Sequence, residues 1–129
     1  MREMIKPKLT EIGLSGIIQL QQTNDRVECI VQNITDDYRE VAVITSDPRI
    51  CTQENISLSI FTPTERSPIR CSGKITRYSK GNRTFKGHRG YIARIHIAHI
   101  SRIDRRRLEL VIAQKRAYTS GGYGLSYSF

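Results

Sequence analysis

The chain has 129 residues, of which 38% are hydrophobic, and its 21 Lys and Arg outweigh 12 Asp and Glu to give a formal net charge of +9. That length makes a single domain able to bury most of a core without covalent staples, and no apolar run approaches the ~20 residues of a membrane-spanning helix. Three cysteines, Cys29, Cys51 and Cys71, are odd in number and far apart, so they read as small buried hydrophobes and not as a disulfide set or a metal site.

Met1 to Glu11 is polar and carries Pro7, which predicts an arm over 1–12. It holds no apolar signal core, so a cytoplasmic protein without membrane insertion is expected. Leu14 to Leu20 reads as a first strand, with Leu14, Ile18 and Leu20 on one side and Gly13 and Gly16 marking a bulge or a close backbone approach. Gln21 to Asp25 is a turn. Val27, Cys29 and Val31 then fall two apart, the period of a half-buried strand, before Asn33 to Asp37 collects the short polar side chains that start turns. The alternation resumes at Val41, Val43 and Thr45.

Asp47-Pro48 breaks the sheet because proline lacks a ladder donor. Ile56, Leu58 and Ile60 face inward on a fourth strand, with Ser57 and Ser59 outward. Thr62 to Pro68 is loop by composition. Ile69, Cys71, Gly73 and Ile75 alternate with polar residues on a fifth strand. Ser79 to Gly90, with three glycines and no aliphatic residue, reads as a loop or hairpin tip before a sixth strand at Tyr91 to Ile97. At Ser101 the period changes. Ser101 and Asp104 form a capping pair, and Ile103, Arg107, Leu108, Val111 and Ile112 recur at helical spacing over about 14 to 16 residues. Residues 117–129 form a Gly/Tyr-rich tail. Six strands and a terminal helix predict an antiparallel sheet closed into a small barrel or sandwich over 13–116, with the helix across one end.

The charge is lopsided. Residues 77–116 hold twelve Lys and Arg against Asp104 and Glu109, while the rest of the chain holds nine basic and ten acidic residues. Such a field favours an anionic partner. Arg77, Arg83, Lys86 and Arg89, with Tyr78 and Phe85 among them, could contact the phosphates of a nucleic acid. The plainer reading of 77–89 is a solvated hairpin tip with its aromatics packed on the barrel. Arg105-Arg106-Arg107 opens the helix, where cations oppose the dipole, and reads as a solvated face. His96 and His99 have no third ligand near in sequence, and Asp36-Asp37 has no nucleophile beside it, so neither a metal site nor an enzyme is expected.

Two stretches carry a resemblance. Residues 27–35 resemble the strand of PilZ domains that runs into a D/N-x-S-x-x-G turn, and residues 90–113 resemble the closing strand and Ser-capped, Arg-rich helix of that family. The resemblance spans roughly 12–116 and implies a six-stranded antiparallel β-barrel with a C-terminal α-helix. It implies a regulatory module whose ligand is cyclic di-GMP, bound without other cofactors. It also implies site residues. Asn33 and Thr35 take the places of the Asp/Asn and Ser that read a guanine edge, and Tyr38 stands where the family has Gly. In the arm, Arg2 and Lys6 stand nearest to the family's R-x-x-x-R, with Lys6 keeping charge but lacking the planar fork. Two other readings follow: a PilZ-like scaffold acting through a protein partner without nucleotide, and nucleic-acid binding by the 77–116 face.

Overall fold

A period of two in six stretches requires six strands, each burying every second side chain. The computed structural model describes residues 9–50, 53–85 and 88–120, with the backbone alone described at 82–85, 88–89 and 118–120. It shows six strands: β1 (Leu9–Leu20), β2 (Arg26–Thr35), β3 (Glu40–Thr45), β4 (Asn55–Ile60), β5 (Ile69–Phe85) and β6 (His88–Ile100). They close as an antiparallel barrel in the order β1-β2-β3-β6-β5-β4, and the helix α1 (Arg102–Ser120) follows. The inward set is the predicted one: Leu14, Ile18 and Leu20, then Val27, Cys29 and Val31, then Ile56, Leu58 and Ile60 are all buried. Fully burying one such side chain is worth about 1.5–3 kcal/mol, so the barrel interior dominates stability.

The helix seals one mouth. Leu108 and Ile112 are buried in the same core as the strands, whereas Ile103 and Leu110 are exposed. Ser101 caps the helix by accepting a hydrogen bond from the Asp104 amide at 3.1 Å. The Asp104 carboxylate does not complete a reciprocal box. It accepts instead from the Arg70 amide of β5 and from the Arg107 guanidinium.

Five expectations need correction. β1 begins at Leu9, within the stretch assigned to the arm, because Thr10 and Ile12 continue the buried alternation across a bulge at Gly13, whose φ of +59° suits glycine. β2 continues through Asn33 and Ile34 to Thr35, so the turn starts at Asp36. Ser79 to Gly90 takes the hairpin side of its two readings but is mostly strand: β5 and β6 stay paired as far as Phe85↔His88, and each supplies the ladder the other needs without aliphatic side chains. The helix runs 19 residues, longer than 14 to 16. The helix arginines are not all solvated. Arg106 is, but Arg107 bonds the carboxylates of Glu65 and Asp104 and the carbonyls of Ser67 and Pro68, pinning the β4–β5 loop to the helix.

Burial pushes the Cys29 and Cys71 thiols up to about 12, so both are neutral, unreactive packing groups at ordinary pH. Cys51 and the 121–129 tail lie outside the described residues. Among the described residues no helix is long and apolar enough to cross a membrane.

Candidate ligand-binding site

The β2–β3 turn lies at the barrel end that α1 covers. The Tyr38 amide donates to the Thr35 carbonyl at 3.0 Å, closing the turn. The buried Thr35 hydroxyl donates to Asp37 Oδ1 at 2.6 Å and accepts from the backbone amides of Glu40 at 3.0 Å and Arg39 at 3.3 Å. Thr35 therefore spends its hydroxyl on the turn itself. The Thr35 hydroxyl and then the Arg39 amide and charge hold the Asp37 carboxyl below its ordinary range. Thr35→Val removes the donor to Asp37 and strips the Glu40 amide of its acceptor, while the Arg39 amide keeps Asp37 Oδ1 at 3.1 Å. It should cost about 1–3 kcal/mol by urea denaturation, while Thr35→Ser should cost less than half as much.

Tyr38 has φ +60°, in the left-handed region that a side chain enters at a cost of roughly 1–2 kcal/mol. Its ring packs against the core and lies beneath the Arg105 guanidinium, 4.9 Å from the ring centroid. An exposed cation–π contact contributes about 0.5–1 kcal/mol, so this contact and the packing together offset the backbone cost.

Asn33 and Thr35 come together at one small depression of about 30 Å³ on the outer barrel face, lined also by Leu9, Glu40, Ala42 and Arg94. Register explains the grouping. Asn33 pairs with Ala42, and Ala42 pairs with Arg94, so the three share one row across β2, β3 and β6. Ala42 is small and leaves the hollow between its longer neighbours. Glu40 lies one rung of the same face away, and its Oε1 is 3.4 Å from Arg94 Nη1. Sequence reasoning missed both Glu40 and Arg94, which stand 54 residues apart and belong to no local motif.

The other expected residues distribute differently. Arg77 is exposed on β5 and pairs with Arg94, continuing the row that starts at Asn33. Arg83 and Arg89 lie on the β5–β6 ribbon by their backbone, with Arg89 opposite Thr84. Their side chains, and Arg2, Lys6 and Lys86, lie outside the described residues. Tyr78 packs against the core and stacks on Tyr91 with centroids 5.3 Å apart. A wider hollow of about 570 Å³ on the outer face of β4, β5 and β6 is lined by Asn55, Ser72, Lys74, Thr76 and His96 and contains none of the expected site residues.

Comparison with known proteins places the architecture. No family model and no curated protein matches the sequence. Among solved structures, the PilZ domain with c-di-GMP of YcgR from Escherichia coli is similar with a TM-score of 0.69 at 5% identity, covering 93% of this chain and 97% of that one. The structure of the Bacillus subtilis inhibitor of motility (MotI/DgrA) is similar with a TM-score of 0.62 at 16% identity, covering 89% of this chain. This chain spans about half of that second protein, 53% of its length. The chain has the PilZ fold: a closed six-stranded antiparallel barrel with one C-terminal helix.

Proposed function

We propose that the protein is a regulatory binding module that takes cyclic di-GMP at the β2–β3 face. One observation carries the reading: the depression that holds Asn33 is also lined by Leu9, the first residue of β1. β1 therefore begins at the rim of the hollow. Lys6 precedes Leu9 by three residues and Arg2 by seven, a reach of at most about 25 Å for an extended chain. Arg2 and Lys6 bring cations to the phosphates, Asn33 offers its amide to a guanine edge, and Thr35 acts by holding the turn. Support comes also from the shared fold with a PilZ domain whose structure contains c-di-GMP.

Calorimetry on the full chain tests it. Cyclic di-GMP should give a saturable heat, and Asn33→Ala and Arg2→Ala should each weaken affinity about tenfold or more, the equivalent of ~1.4 kcal/mol. No heat at saturating dinucleotide overturns the reading, and affinity unchanged in both variants overturns the residue roles.

A second reading, a scaffold that works through a protein partner without nucleotide, draws on Tyr38. A bulky ring locked under Arg105 occupies the position where the family's turn carries glycine. That reading requires silent calorimetry and a partner whose recovery is lost on deleting 119–129. Nucleic-acid binding by the 77–116 face ranks third, since Tyr78 is engaged with the core and Tyr91.

A further inference from the structure

Resting on the cyclic di-GMP reading, we infer that Glu40 and Arg94 are part of the same site, Glu40 selecting guanine and Arg94 holding a phosphate together with Arg77. Three observations meet here. First, Glu40 and Arg94 line the depression with Asn33, on three adjacent strands, so one ligand edge can touch all three.

Second, their mutual contact does little for the fold. The two side chains are 38% and 45% exposed and meet through one long approach of 3.4 Å. Exposed pairs of that kind contribute between zero and about 1 kcal/mol. A ligand can part them at small cost.

Third, the row continues from Arg94 to its cross-strand partner Arg77. Like charges directly opposite on a sheet repel. Among the described residues Glu40 is the carboxylate that meets Arg94, and its one charge balances one of these two. An anion seated between the guanidiniums relieves the repulsion, and planar guanidinium forks match phosphate oxygens two at a time. Strand spacing of about 4.8 Å puts Asn33 and Arg77 roughly 14 Å apart along the row, room for a base and its adjoining phosphate.

The base preference follows from donors and acceptors. A guanine presents N1–H and an N2 amino group side by side, and both can donate to the two oxygens of one carboxylate. Adenine offers an unprotonated N1 there, which a carboxylate repels. Glu40 is thus placed to accept where guanine donates, and Asn33 can bond the neighbouring edge atoms through either end of its amide.

The test is calorimetry of the full chain with cyclic di-GMP and cyclic di-AMP against wild type, Arg94→Ala, Arg94→Lys and Glu40→Gln, with thermal unfolding of each as a fold control. Arg94→Ala should lose at least about tenfold in cyclic di-GMP affinity and flatten its salt dependence, while Arg94→Lys should recover part of both. Glu40→Gln should shrink the preference for cyclic di-GMP over cyclic di-AMP by about tenfold or more. If wild type binds and the variants, folded, bind with the same affinity and preference, this inference is overturned and the general reading stands. If wild type gives no heat with either dinucleotide, the general reading fails and this one fails with it.

Discussion

Leu108→Ala is expected to cost about 3 kcal/mol, within the 2–5 kcal/mol typical of emptying a fully buried leucine site. Leu108 is 0% exposed and closes the barrel mouth beside Ile112, which is 1% exposed. Ile103 and Leu110 give no second seat, since they are 74% and 54% exposed. Removing the Leu108 side chain therefore opens a cavity in the barrel and loosens α1 together. A shift of the urea midpoint with an unchanged slope is the expected signature. A cost under about 1 kcal/mol would show that the helix does not act as a plug.

Gly73→Ala should be worse, above about 3 kcal/mol, beyond the 1–3 kcal/mol of ordinary overpacking. A Cβ built on Gly73 falls 2.0 Å from the His96 carbonyl oxygen and 2.9 Å from the carbonyl carbon. Both are backbone atoms of β6, so no side chain can swing away, and β5 and β6 must part at the bulge between Ser72 and Gly73. Gly13→Ala is the matched comparison. A Cβ there meets nothing within 4 Å, and only the φ of +59° opposes it, at about 1–2 kcal/mol. Thermal unfolding of the two variants side by side decides the matter. Equal losses would mean that contact at Gly73 is not what excludes a side chain.

These two sites also mark where sequence reasoning reached and where it stopped. Leu108 and Ile112 are legible, because helical spacing after a Ser cap leaves few alternatives. The inward faces of β2, β4 and β5 are legible for the same reason at period two. Gly73 is legible as an alternation member but not as a contact, since its demand comes from His96 on another strand. β1 reads short in the sequence because Pro7 and the polar stretch around it hide the alternation of Thr10 and Ile12. The β5–β6 ribbon reads as a loop or hairpin tip, because a two-stranded ladder needs backbone pairing and not aliphatic side chains.

The site was half legible. Asn33 and Thr35 stand in a local pattern, so their proximity could be foreseen, but the inward bonding of the Thr35 hydroxyl could not. Its partners, Asp37, Arg39 and Glu40, are nearby in sequence, and only the turn geometry decides which of them it meets. Glu40 and Arg94 come together only through the β3–β6 register. Arg107 belongs to the same class of surprise. Its partner Glu65 is 42 residues earlier, and no helical wheel shows that a loop will fold back to meet it.

The strand order has a kinetic side. Four of the six seams, β1·β2, β2·β3, β4·β5 and β5·β6, join neighbours in the chain and can zip as hairpins on a scale of about 1–10 μs. The two closing seams cannot. They bring Gly16 to Ile60 and Glu40 to His96, so long loops must close before any contact there repays the lost entropy. Barrels of this kind fold in about milliseconds to seconds, and closure sets that pace. The helix comes last by the same logic. Arg116 donates to the Thr10 hydroxyl across 106 residues, so the seat for α1 exists only once both halves of the barrel have met.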